Sequence, residues 1–275
     1  MLTVALGLLA ALVILATFVR LLEPRLAFFP MAGESVTPRD FGVDYDSAAV
    51  RTRDGERLCS WSLARPEARA RIVYFHGNGG NLSMWAPIVA GIARCGYFVF
   101  AFDYRGYGVS TGRPTEQGLY RDVDAVVERV WHDFPGGTPV VYWGRSLGVA
   151  MAAYAATVRA PDGLILESGF PDARSFIRTS PVLACLALFS TYRFPCSEFI
   201  NRLGTPVPVL VVHGDDDHVV SLTQGRAHFD AIAAPKRFVI VRGGDHNDLA
   251  PSDPTTYWAA VGGFIESLQR AGSED

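Results

Sequence analysis

Lysine is almost absent from the 275-residue sequence: Lys236 stands alone, and arginine supplies the rest of the basic charge. No basic block occurs, and the formal net charge is −3. That balance argues against a nucleic-acid partner, and the acidic excess is too small to imply a cationic one. Cysteine is scarce as well. Cys59, Cys95, Cys185 and Cys196 form neither a C-x-x-C pair nor a zinc spacing. They read as four free, partly buried thiols; a Cys185–Cys196 disulfide is the alternative and needs an oxidising compartment. Internal repeats and low-complexity tracts are missing too. Residues 2–19, "LTVALGLLAALVILATFV", lack any charge.

As a helix that run spans about 27 Å, close to the thickness of a bilayer's hydrocarbon core. No Lys or Arg precedes it and no A-x-A-like site follows it, which argues against a cleaved signal peptide. The reading is an uncleaved single-pass membrane anchor over residues 1–22. Arg20 and Arg25 directly follow the span, so the positive-inside rule puts the main domain on the cytoplasmic side, although Glu23 between them dilutes the bias. A connector rich in Pro, Gly and charge covers 23–40, and one domain covers 41–275.

Nearly half of the residues are apolar, enough for a sizeable core. Strand-like runs recur at 71–77, 97–103, 139–144, 163–168, 207–214 and 237–243. They do not alternate, as expected of parallel strands covered on both faces. Helical patterns lie between most of them: 115–134 places Leu119, Val123, Val126, Val127, Val130 and Trp131 on one face, 146–160 is Ala-rich, and 254–270 carries Trp258, Val261, Phe264, Ile265 and Leu268 at helical spacing. Two alternating segments, 43–52 and 58–64, flank "RDGE" and predict an antiparallel hairpin at a sheet edge. The fold class is therefore α/β. Residues 170–206, with two apolar patches and no strand run, predict a small lid, whose Val182, Leu183, Leu186, Leu188 and Phe189 are candidates to bind acyl chains or simply to pack.

The pattern G-x-S-x-G, a serine nucleophile on a sharp strand-to-helix turn, occurs twice. "GRSLG" (144–148) follows the strand run "PVVYW" and opens an Ala-rich helix. "GVSTG" (108–112) follows the polar loop "DYRGYG" and precedes Arg113-Pro114, where proline disfavours helix. Context selects Ser146 and leaves Ser110 in a surface loop. A nucleophilic serine needs a base and an orienting carboxylate. Of the six histidines, His132 and His228 fall on helical segments and read as solvent-facing. His76 and His213 sit in "HG" pairs at strand ends and read as buried structural residues, and His218 lies in an acidic loop. His246, in "GGDHND" after the last strand run, is the candidate base. "HGDDDH" supplies Asp215, Asp216 and Asp217; adjacent carboxylates on one loop make a poor metal site.

Five motifs now stand in order between these strands: "HGNGGN" (76–81), "DYRGYGVSTG" (103–112), "GRSLG" (144–148), "HGDDD" (213–217) and "GGDHND" (243–248). Jointly they resemble the α/β-hydrolase superfamily over about residues 41–270. With the N-terminal span, the chain is similar to its single-span, membrane-anchored branch, which includes depalmitoylase-like and monoacylglycerol-lipase-like hydrolases. The resemblance implies a mostly parallel eight-stranded sheet with helices on both faces, and a "D-x-R-G-x-G-x-S" loop whose serine is not catalytic. It implies Asp217 as the acid, third after the glycine in "H-G-x-x-D", with Asp215 as the fallback. It implies the backbone N–H groups of Asn78 and Leu147 as the oxyanion site. The implied reaction is hydrolysis of a small-molecule acyl ester or thioester through an acyl-enzyme, with no metal and no organic cofactor. Peptidase or amidase activity shares this machinery. A haloalkane dehalogenase would carry aspartate at 146. A membrane-tethered binding protein without turnover is the reading from another class.

Overall fold

The computed structural model describes residues 2–65, 67–133, 137–179, 184 and 190–271. The chain begins as one helix, α1 (Leu2–Ala27), mostly exposed and long and apolar enough to cross a membrane. A two-residue strand β1 (Phe29–Pro30) and a 3-10 turn (Pro38–Phe41) lead to β2 (Asp46–Arg51) and β3 (Arg57–Leu63), the expected hairpin. Then come β4 (Arg71–Phe75), the two-residue β5 (Gly79–Gly80), α2 (Leu82–Arg94), β6 (Phe98–Phe102), α3 (Glu116–Asp133), β7 (Val140–Arg145), α4 (Leu147–Val158) and β8 (Gly163–Glu167). The short helices α5 (Ala173–Ile177) and α6 (Cys196–Asn201) precede β9 (Val209–Gly214), α7 (Leu222–Ala231), β10 (Lys236–Val241), α8 (Leu249–Ser252) and α9 (Pro254–Ala271).

Eight strands form one sheet in the order β10-β9-β8-β7-β4-β6-β3-β2. Only β3 pairs antiparallel with both of its neighbours; every other pairing is parallel. The apolar runs alternate in space even though they do not alternate in polarity. Val73 and Phe75 of β4, Val140 and Tyr142 of β7, and Leu164 and Leu166 of β8 join the core beneath α3 and α4. Ile72 and Tyr74, Val141 and Trp143, and Ile165 join the core beneath α2 and α9. Both faces are covered, so neither can be polar. The expected stripe on α3 is buried at Leu119, Val123, Val126, Val127 and Val130, and that of α9 at Val261, Phe264, Ile265 and Leu268, while Trp131 and Trp258 at their margins are half-buried.

The strand order reverses around β4, with β6 on one side and β7 on the other. Loops leaving β4 and β7 therefore diverge and open a crevice at the sheet's C-terminal edge, the general ligand position of such sheets. Two features differ from the sequence reading. The segment after α1 is woven into the domain, because β1 pairs in parallel with β5 in the loop leaving β4. His228 is fully buried rather than solvent-facing. Its ring packs against the Gly169 backbone position, and its Nδ1 lies 2.9 Å from Ser197 Oγ. Cys59, Cys95 and Cys196 are free thiols. Cys185 and the apolar lid candidates Val182, Leu183, Leu186, Leu188 and Phe189 lie outside the described residues.

Candidate active site

Strand β7 ends at Arg145 and α4 starts at Leu147, so Ser146 must reverse the chain alone. It does so at φ 53°, ψ −115°, a region L-residues rarely occupy and one that costs roughly 1–3 kcal/mol. Backbone crowding explains the flanking glycines. A Cβ on Gly148 would fall 1.9 Å from the Phe75 carbonyl oxygen, and one on Gly144 would fall 2.2 Å from the Gly148 carbonyl oxygen. The turn is clamped by the Ser146 N–H to Glu167 O bond at 2.9 Å. The Ser146 side chain makes no helix-capping bond; its Oγ instead lies 3.0 Å from His246 Nε2.

His246 arrives from the loop after β10, and its Nδ1 lies 2.8 Å from Asp217 Oδ2. Asp217 sits in the loop after β9, where its Oδ1 accepts the Val219 and Val220 N–H groups at 2.9 and 2.7 Å. Burial pushes the Asp217 carboxyl upward, but the hydrogen bond and charge of His246 and the Val220 N–H outweigh it and hold it below the usual value. An ionised carboxylate only accepts. So Nδ1 of His246 donates to Asp217, and in the neutral ring Nε2 presents its lone pair to the Ser146 hydroxyl. The other aspartates go elsewhere: Asp215 Oδ1 accepts the Gly243 N–H at 2.7 Å, and Asp216 Oδ1 lies 3.4 Å from His218 Nε2.

Asn78 and Leu147 follow the ends of the adjacent strands β4 and β7, where Phe75 and Gly144 are in register. Among the described residues, neither backbone N–H finds a hydrogen-bond acceptor. Asn78 is held at both ends of its amide: Nδ2 donates to the Ala27 carbonyl at 2.7 Å, and Oδ1 accepts from the Tyr107 hydroxyl at 2.9 Å. Tyr104 donates to the His76 carbonyl at 3.0 Å. Thus both tyrosines of "DYRGYG" brace the loop that carries Asn78. His76 and His213 are fully buried, as expected for structural histidines, and burial lowers the His213 pKa.

The rest of "DYRGYGVSTG" is also spent on structure. Asp103 Oδ1 accepts the Leu82 N–H at 2.8 Å, and Arg105 bonds Asp54 and the buried Asp122. Ser110 Oγ donates to the Asp103 carbonyl at 3.0 Å and accepts the Cys59 N–H at 2.8 Å. Ser110→Ala should therefore leave turnover per folded molecule unchanged and cost about 1–3 kcal/mol of stability, because the Cys59 N–H loses its acceptor. Parallel denaturation and activity measurements check both halves; lost turnover in a folded variant would refute the reading.

Sequence reasoning missed a buried polar cluster under the His246 loop. Arg145 donates to the His246 carbonyl at 2.7 Å, and its guanidinium lies 3.8 Å from Glu167. Tyr257 donates to the other Glu167 oxygen, and burial pushes the Glu167 carboxyl upward. Arg145 occupies the variable position before Ser146 in the motif, so its residue type carried no signal there.

The chain can now be compared with known proteins. A model described as "alpha/beta hydrolase fold" matches residues 70–183. "Uncharacterized protein MT2364" of Mycobacterium tuberculosis (strain CDC 1551 / Oshkosh) is 33% identical over 259 residues, covering 90% of this chain and 89% of that protein. Human "Alpha/beta hydrolase domain-containing protein 17B" is 28% identical over 73% of this chain and 68% of its own length. Among solved structures, the Pyrococcus furiosus esterase Pf2001 superposes with a TM-score of 0.70 at 18% identity, covering 87% of this chain and 97% of that one.

Proposed function

The chain belongs to the α/β-hydrolase family, and from that membership we propose that it is a serine hydrolase that cleaves acyl ester or thioester bonds of small-molecule substrates. The observation that carries the reading is the unbroken hydrogen-bond chain from Ser146 Oγ to His246 Nε2 at 3.0 Å and from His246 Nδ1 to Asp217 at 2.8 Å. His246 takes the Ser146 proton as the oxygen attacks the carbonyl carbon, and Asp217 stabilises the imidazolium that forms. The tetrahedral oxyanion is received by the N–H groups of Asn78 and Leu147. A donor of this kind is typically worth about 3 kcal/mol. His246 then returns the proton to the leaving group, and water repeats the sequence on the acyl-enzyme. No step calls on a metal or an organic cofactor. In the same reading α1 is a single-pass membrane anchor with the domain on the cytoplasmic side, where Arg20 and Arg25 lie.

The test is active-site labelling of the full-length protein with a fluorophosphonate, with the adduct mapped by peptide mass spectrometry. The adduct is expected on Ser146. No reaction would favour a membrane-tethered binding protein of the same fold, and an adduct on Ser110 would overturn the site. A series of p-nitrophenyl esters and acyl-thioesters of increasing chain length then defines the acyl group.

A further inference from the structure

After α1, six large apolar side chains of the described residues are exposed: Phe29 at 61%, Met31 at 56%, Met84 at 49%, Val109 at 53%, Val158 at 43% and Val219 at 53%. Five of them lie at one edge of the sheet. Phe29 and Met31 run beside Gly79–Gly80 in the loop leaving β4, where the Met31 N–H donates to the Gly80 carbonyl at 2.9 Å. Met84 follows that loop at the start of α2. Val109 is in the loop leaving β6, beside the Ala32–Gly108 bridge. Val219 is in the loop leaving β9. All are C-terminal strand ends, the edge that carries Ser146, Asp217 and His246. Val158 alone ends α4, the helix that runs back to the opposite edge.

Helix α1 is rooted at the same edge. Ala27 accepts from Asn78, and the buried Glu23 carboxylate accepts from the Thr191 N–H and hydroxyl at 3.0 and 2.7 Å. The helix face that meets the domain, through Ala27, Pro24, Glu23, Leu22, Val19 and Ala16, is half-buried or buried, whereas the other helix residues whose burial is described are exposed. That face continues past Arg20 into the uncharged run. Burial on α1 thus extends from its root at Ala27 and Glu23 to Val19 and Ala16, inside the uncharged run. Leu21, Leu26, Phe29 and Met31 carry exposed apolar side chains from the helix onto the domain, with the exposed Arg25 among them.

We propose that this site-bearing edge is a bilayer-docking face: Phe29, Met31, Met84, Val109 and Val219 sit in the lipid interface beside the root of α1, and the crevice at Ser146 opens against the membrane surface. A scatter of single exposed apolar residues needs no explanation. Five gathered on one edge, continuous with an apolar helix, have a lipid surface as their occupant. The inference rests on α1 being a membrane span and not on the chemistry of Ser146.

The full-length protein, reconstituted in phosphatidylcholine vesicles doped with a diazirine-bearing phosphatidylcholine, tests it by photolabelling and peptide mapping. Lipid adducts are expected on α1 and on the peptides carrying Phe29–Met31, Met84, Val109 and Val219, with none on the peptide carrying Val158. In Met84→Glu/Val109→Glu, adducts on the edge should fall about tenfold while those on α1 persist, because carboxylates are disfavoured in lipid. Adducts confined to α1, or equally frequent at Val158, would overturn the docking face. No adducts on α1 itself would instead overturn the anchor.

Discussion

Ser146→Ala should lower acyl-ester turnover by about 10⁴- to 10⁶-fold and abolish fluorophosphonate labelling, leaving only what binding and the oxyanion donors supply. The fold should survive, because the Ser146 Oγ neither caps α4 nor bonds the backbone. Ser146→Gly adds a second readout. Alanine keeps the strain of φ 53°, whereas glycine occupies positive φ freely. The glycine variant should therefore be more stable than the alanine variant by about 1 kcal/mol, after the unfolded-state entropy of glycine is subtracted. Both variants should be equally inactive. Retained turnover in either, or a glycine variant less stable than the alanine one, would show that Ser146 is not a strained nucleophile.

The two G-x-S-x-G matches show where residues speak and where they do not. Ser146 was legible because a strand run, a glycine pair and a helix pattern fix the turn, and the close approach of Gly148 to the Phe75 carbonyl is the physical reason the glycines are there. Ser110 was legible as a loop because Pro114 and the polar "DYRGYG" deny it a helix, and the structure spends its hydroxyl on backbone partners. The six parallel strands were legible because burial on both faces demands unbroken apolar runs, and the β2–β3 hairpin because its segments alternate around a turn. Where pairing is made by backbone alone, the signal vanished. The β1–β5 pairing joins Phe29–Pro30 to two glycines, and nothing in those side chains announces a strand. Arg145 was silent for a similar reason: its partner, the His246 carbonyl, is a main-chain atom 101 residues away. His228 misled because the 223–233 segment shows no clear apolar stripe. Its buried face is Gly225 and His228, one too small and the other too polar to register as apolar.

Asp217→Asn should cost about 10⁴-fold in turnover, and Asp215→Asn less than about twofold, since it loses no bond to the site. The difference follows from the partners. Asp217 Oδ1 is claimed by the Val219 and Val220 N–H groups, so an asparagine there keeps its oxygen on that side and turns its NH₂ toward His246. Two donors cannot face each other, so the imidazole shifts its proton to Nε2 and presents N–H, not a lone pair, to the Ser146 hydroxyl. The base is lost while the geometry stays. At 215, asparagine retains an oxygen for the Gly243 N–H. A stability signature separates this from misfolding. The Asp217 carboxyl is held below its ordinary 3.8 in the folded state, so it contributes stability that is complete above the unfolded value and lost as pH falls through the folded one. Asp217→Asn should remove that acid-side slope, and Asp215→Asn should keep it. Turnover that falls more in Asp215→Asn than in Asp217→Asn would move the acid two residues upstream and refute the triad as assigned.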